Sequence, residues 1–396
     1  MQKSTLTEDL LFILTGLAIL LVCLWDGIGI TFDSYLYLLG STYLQQHGLT
    51  DIFIVPAFRA KPPVLAILYA LLQNNLWLIK LATLAFLAGT LWVNFRLATI
   101  LISDTFFRRF AKALLATATP FMLVHSFLWS EPFFIFIFSL YGLCSYRALQ
   151  KQVKTSQLYL LPLLGLLLIG LRHIGVVFVL GYSLYLLLHY RKFAVSARVP
   201  LMLNVLLPVL GLFAWHSSVL AHSSNAGGYD LLQGLDVWRN FMVYADVLKV
   251  WLLPPGLPFA GLLNIVVVIV YLAAAVLAIK QSYTSEKRHL VLLFILGAAA
   301  YGGLMLFKGD LLVSDNERYL AVIYAPLTLL LFYVISNLAS HTTINRKLIY
   351  LAFILWFCYP LMRTLYNTSR WAQNGINYYN PETAPEEIKL HYRNPK

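Results

Sequence analysis

LLFILTGLAILLVCLWDGI, residues 10 to 28, is a nearly unbroken apolar run of about the length a lipid bilayer demands. Glu8 and Asp9 stand directly before it and no small-residue cleavage site is present, so it reads as a retained membrane helix and not as a removable signal peptide. Ten further runs repeat the pattern, at about 75 to 102, 113 to 129, 132 to 149, 158 to 171, 174 to 190, 199 to 220, 259 to 279, 290 to 307, 319 to 337 and 348 to 365. The predicted fold class is an all-α polytopic membrane protein of about eleven transmembrane helices. One integral domain is expected over residues 1–366, followed by a short polar tail at 367–396. Composition agrees, since 60% of the 396 residues are hydrophobic and 12% charged, which excludes a water-soluble globule. Cys23, Cys144 and Cys358 all fall inside spans, which argues for core positions and against disulfides or a thiolate metal site.

The net charge of +12 has no basic domain to carry it, so nucleic acid is not an expected partner and the cations report topology instead. With the N-terminus cytoplasmic, every short inner loop holds at least two cations, for example Arg108 with Arg109 and Arg346 with Lys347. Only Glu8, Asp9, Asp104 and Glu286 of the 17 acids then lie inside, so charges of both signs meet on the outer face. Function is expected there, in a membrane of the bacterial plasma-membrane type.

Four outer hairpins bring ionisable groups to one layer, the first of them through two stretches. FDSYLYLLGSTYLQQHG, residues 32 to 48, places Asp33, Tyr37, Gly40, Leu44 and His47 at helical spacing and predicts an amphipathic juxtamembrane helix. Two readings stand for Asp33: a cap on that helix, or a chemically active carboxylate. FRAKPPVLAILYALLQ, residues 58 to 73, uses Pro62 and Pro63 to open a short helix and hold Lys61 near the boundary, either to meet a substrate or to snorkel to headgroups. HSFLWSEPFF pins Glu131 at a tight hairpin, as a cap or as the partner of a cation. GLRHIGVV adds Arg172 and His173, and the stretch from Lys308 to Leu327 adds Asp310, Asp315, Glu317, Arg318 and Tyr319. The loop at about 221 to 258 is rich in Gly, Ser, Pro and aromatic residues; covering a groove and ordinary interfacial packing by Trp238 and Trp251 both fit it.

Carboxylates beside several cations at a lipid boundary suit a substrate with an anionic phosphate and a long lipid tail. A carboxylate would take the proton of an incoming hydroxyl while the cations stabilise the departing phosphate. No phosphate-binding glycine loop, HExxH or GxSxG occurs, so ATP-driven transport and zinc proteolysis lack their usual warrant. A transporter or flippase of a lipid-linked glycan is the main alternative, and a non-catalytic partner of a glycan-assembly complex is a third.

In order along the chain, DSYLYLLGSTYLQQHG, FRAKPPVLAILYALL, WSEPFF, GLRHIG and ERYLAVIYAPL resemble the GT-C superfamily of polytopic, lipid-phosphosugar-dependent glycosyltransferases. The likeness covers about residues 1 to 340 and is nearest the branch of protein O-mannosyltransferases and lipid A aminoarabinose transferases. The resemblance implies an inverting transfer of a hexose or pentose from a dolichyl- or undecaprenyl-phosphate donor to a lipid, glycan or protein acceptor. It makes Asp33 the catalytic base and Lys61, Arg172 and Arg318 contacts of the donor phosphate, with Arg59 a further candidate. Glu131, His173, Tyr319 and Tyr37 are then candidates for orienting substrate, and membrane lipids are partners throughout. Ser34 stands where many members carry a second acid, so a divalent metal is not indicated, and no motif calls for another cofactor.

Overall fold

The computed structural model describes residues 3–25, 27–49, 58, 61–222, 235–307 and 316–373. Those residues form helices with no strand among them, apart from a single bridge between Gly29 and Phe127. The order is α1 (Lys3–Cys23), α2 (Phe32–His47), α3 (Val64–Leu71), α4 (Leu76–Leu101), α5 (Thr105–Ala116), α6 (Thr119–His125) and α7 (Glu131–Leu149). After a one-turn helix at Thr155–Leu158 come α8 (Leu160–Leu171), α9 (Gly175–Leu188), α10 (Val195–His222), α11 (Val237–Leu252), α12 (Ala260–Ser282), α13 (Arg288–Leu306), α14 (Asn316–His341) and α15 (Arg346–Gln373). The protein is a multi-pass, all-α membrane protein.

Among the described residues eight helices are long and apolar enough to cross a bilayer, and two shorter apolar ones, Thr155–Leu171 and Gly175–Leu188, carry the fifth and sixth expected spans. The difference from eleven lies at residues 113 to 129. That run is not one helix: α5 stops at Ala116 and α6 begins at Thr119 with Pro120 in its first turn. Proline has no amide to donate and its ring clashes with the carbonyl four residues back, so Pro120 starts a new helix inside a stretch whose hydropathy is continuous. Cys358 also departs from expectation, because it lies exposed on α15 while Cys23 is buried. The expected tail boundary at 366 falls within α15, which continues to Gln373.

Local sequence explains the helix starts that frame the site. Asn75 caps α4 by accepting from the amides of Trp77 and Leu78 at 3.0 and 3.2 Å, and Asp104 caps α5 by accepting from Phe107 at 3.1 Å. Pro63 stands immediately before α3, as the paired prolines imply. The helices α2 and α3 pack on each other around Leu44, Phe58 and Ala66. Gly40 is required in that contact, because a Cβ there would sit 2.9 Å from two ring carbons of Phe58. Gly170 does the same between α8 and α3, where a Cβ would meet a Val64 methyl at 2.5 Å. The most enclosed span is α14, which packs on α12, α13, α11 and α6, whereas α15 lies on the outside.

The end of the bundle remote from α2 and α3 is closed by two ion pairs between α1 and α5, Asp9 to Lys112 at 2.5 Å and Glu8 to Arg109 at 2.7 Å. The first pair is nearly free of water, with side chains 5% and 2% exposed. Lys112→Met therefore strands the Asp9 carboxylate and is expected to cost roughly 3–5 kcal/mol, most of which the double variant Asp9→Leu/Lys112→Met should restore. Unfolding midpoints of the three proteins in detergent check this.

Candidate active site

The site is assembled by a strap that lays the start of α2 against the start of α7. The Gly29 amide donates to the Ser126 carbonyl at 2.7 Å, and the Leu128 amide donates to the Gly29 carbonyl at 2.8 Å. Trp129 Nε1 then donates to Thr31 Oγ1 at 2.8 Å. Thr31 is the N-cap residue of α2, and its amide donates to Ser34 Oγ at 3.0 Å. Thus Ser34 helps to close the cap, and Asp33 is left free of that duty. Its carboxylate pairs instead, with Lys61 Nζ 2.8 Å from Oδ1 and the Arg318 guanidinium 2.7 Å from Oδ2.

Glu131 is the first residue of α7, directly after the N-cap residue Ser130, and its carboxylate is also committed to cations. It contacts Arg172, which follows α8, and Arg318, whose Nη2 lies 3.3 Å from Oε2. Arg318 is stacked over the Trp129 ring at 3.9 Å from its centroid. The Tyr319 ring lies 5.9 Å from Arg172 and 5.7 Å from Arg318. Tyr37, from α2, donates its hydroxyl to Ser130 Oγ at 3.1 Å, and Arg172 donates to the same oxygen at 3.4 Å.

Five charges therefore alternate in sign through the site: Lys61, Asp33, Arg318, Glu131, Arg172. Exposure is lowest at the centre of the series and higher at both ends, with Arg172 17% exposed. The side chains of Lys61 and Asp33 are 27% and 21% exposed, those of Arg318 and Glu131 only 3% and 1%. Burial pushes the Asp33 carboxyl up, but Arg318 and Lys61 outweigh it and hold the group well below the usual carboxylate range. Burial raises the Tyr37 phenol to about 12, so it remains a hydrogen-bond donor at neutral pH.

His173 sits in the turn after Arg172 with its ring 4.9 Å from that of His216 on α10. Its Nδ1 is buried with no hydrogen-bond partner. Burial first, then His216, Lys61 and Arg172, hold the ring down at about 4, so it is neutral at pH 7. The structure thus brings Asp33, Lys61, Glu131, Arg172, His173, Arg318, Tyr319 and Tyr37 to one end of the bundle. Arg59, like Lys308, Asp310 and Asp315, lies outside the described residues.

Two neighbours of the site, Trp129 and His216, carry no functional signal in the sequence. Trp129 was visible in WSEPFF, but nothing in its spacing says that a guanidinium will lie on its face. His216 gives no signal at all, because only the packing of α10 beside α8 brings it near His173. Of the two tryptophans in the loop expected at 221 to 258, Trp238 is exposed, while Trp251 is buried and donates to Glu317 at 3.1 Å. Among the described residues no group of three His, Cys, Asp or Glu side chains gathers around a common metal position.

No family model and no curated protein matches the chain. Among solved structures it is similar to the archaeal oligosaccharyltransferase AglB from Archaeoglobus fulgidus, in complex with an inhibitory peptide and a dolichol-phosphate. The TM-score is 0.50 at 14% sequence identity, over 99% of this chain and 60% of that one. The likeness shows the fold alone, and the chain spans 60% of the archaeal enzyme's length.

Two stability effects follow from the charge chain. Glu131→Gln leaves Arg172 without a carboxylate in a site nearly closed to water, and an unfolding measurement is expected to show a loss of roughly 3–5 kcal/mol. Asp33→Asn should also be less stable than wild type at neutral pH. Because the Asp33 carboxyl is held below its unfolded value of about 3.9, its contribution is present in full above that value and is lost as pH falls through the folded one. The gap between wild type and Asp33→Asn should stay flat from about pH 8 to pH 5 and close only below about pH 4.

Proposed function

We propose that this protein is a lipid-phosphosugar-dependent glycosyltransferase that moves a hexose or pentose from a polyprenyl phosphate to an acceptor hydroxyl, inverting the anomeric carbon. The observation that carries the reading is the open end of the charge chain: a carboxylate shared by Lys61 and Arg318 at the most exposed end of an ionic cluster whose centre, Arg318 and Glu131, is buried. It is supported by the likeness in fold to the archaeal oligosaccharyltransferase and by the resemblance, in order, of five sequence segments to GT-C motifs. Short cation-rich loops at the opposite end support an N-terminus in the cytoplasm and a site on the outer face.

The cluster holds three cations and two carboxylates, so it carries one surplus positive charge. A donor phosphodiester is a monoanion that offsets this surplus. As the phosphate takes hydrogen bonds from Lys61 and Arg318, Asp33 loses the partners that hold its proton affinity down and becomes a competent base. The acceptor oxygen then attacks the anomeric carbon from the face opposite the phosphate and its proton passes to Asp33. The bond from the anomeric carbon to the phosphate oxygen breaks with its electron pair on the oxygen, and a phosphomonoester dianion leaves. The extra negative charge develops beside Arg172, Arg318 and Lys61, where it is stabilised most in the transition state. Glu131 stays bound to its two arginines and orients them. His173 offers a neutral ring nitrogen at the same wall for a substrate oxygen, Tyr319 flanks the arginines, and Tyr37 holds Ser130.

Purified protein given a radiolabelled polyprenyl phosphosugar and an acceptor mixture tests the reading. Asp33→Asn should lower transfer by about two to four orders of magnitude, as expected on removing a positioned base. Lys61→Gln should act mainly through weaker donor use. Undiminished transfer by Asp33→Asn would remove it as the base. Movement of intact lipid-linked glycan across vesicles without sugar transfer would favour the transporter reading.

A further inference from the structure

The first turn of α14 carries two adjacent charges that face different ways, being about 100° apart around the helix. Arg318 reaches Asp33 and Glu131. Glu317 turns to the neighbouring helices, where Oε1 accepts from Trp251 Nε1 of α11 at 3.1 Å and Oε2 accepts from Arg363 of α15 at 2.7 Å. Those donors are themselves fixed. Trp251 is buried edge-on against Tyr324, with ring centroids 4.8 Å apart. The end of α11 is tied to α15 by the Tyr359 hydroxyl, which donates to the Val250 carbonyl at 2.6 Å, and by Trp356 Nε1, which donates to the Leu252 carbonyl at 2.8 Å.

We propose that Glu317, Trp251 and Arg363 are positioning residues that clamp the first turn of α14, and through it hold Arg318 in register for the donor phosphate. This rests on the phosphate-binding reading of Arg318 given above. The physical need is specific. While Asp33 and Glu131 both hold the Arg318 guanidinium, its place is fixed from the site side. Once a phosphate competes with Asp33, one of those two anchors is lost. A guanidinium recognises phosphate through a rigid planar fork, so its backbone must then be fixed from behind. The Glu317 carboxylate supplies that fixing through two donors, one neutral and one charged, on two different helices.

Full-length Arg363→Gln, Trp251→Phe and the conservative Arg363→Lys, in detergent, test the clamp by two readouts that need no turnover. Arg363→Gln should bind polyprenyl phosphate more weakly, on the order of fivefold, the size typical of coupling through a packed network. Arg363→Lys should restore most of that affinity, and Trp251→Phe should show a smaller loss. Amides of residues 316 to 320 should exchange with deuterium faster in Arg363→Gln than in wild type. Unchanged exchange would overturn the clamp, and faster exchange with unchanged lipid-phosphate affinity would reduce it to a strut with no positioning role. A wild type that binds polyprenyl phosphate and weakens on Arg363→Gln, yet transfers no sugar, would retire the glycosyl-transfer reading and leave the clamp standing.

Discussion

A buried guanidinium shared between two carboxylates is the interaction on which the rest of the site depends. Arg318 is 3% exposed and bridges Asp33 from α2 and Glu131 from α7, with the Trp129 ring against its face. Taking such a charge out of water costs several kcal/mol, a cost recovered only where opposite charges and hydrogen bonds surround it closely. The same requirement binds Glu131, which is covered more completely and therefore needs Arg172 as well as Arg318. Neither carboxylate can be removed from this arrangement without stranding a cation. Helices far apart in sequence are consequently tied together at one end of the bundle, while the opposite end is closed separately by Asp9 and Lys112.

On the proposed function, the difference in exposure would divide the labour between the two acids. Glu131 has almost no access to water and two arginines to neutralise, so it suits orientation of those cations. Asp33 has the same kind of partners but keeps an exposed flank, the one an acceptor hydroxyl would approach on the proposed function. A base whose proton affinity is held down by cations is inactive until an anion draws them away. Donor binding would thereby switch the base on, and water alone would find it poorly reactive.

Much of this was legible in sequence because bilayers impose length and apolarity, and prolines impose starts. Paired prolines before α3 located Lys61, and Pro132 after Glu131 fixed the start of α7. The break at residues 117 and 118 was hidden, because hydropathy sums over Pro120 without registering the amide it lacks. Asp33 looked equally suited to capping its own helix; only the structure shows Thr31 and Ser34 at the cap. Arg363 read as a cation of the C-terminal part of the chain, and no periodicity links it to Glu317, forty-odd residues away. Contacts of this kind come from tertiary packing, which a single sequence does not display. Trp129 is the intermediate case, visible in its motif but silent about the cation it faces.

The central claim is that a lipid phosphate enters the open end of the charge chain and takes cations from Asp33. A cryo-electron microscopy structure of the protein with bound polyprenyl phosphate tests it most directly. The account predicts phosphate density in contact with Lys61 and Arg318, the Asp33 carboxylate released from at least one of them, and Glu131 still paired with Arg172. Phosphate bound elsewhere, with Lys61, Asp33 and Arg318 paired as they are without it, would contradict the account.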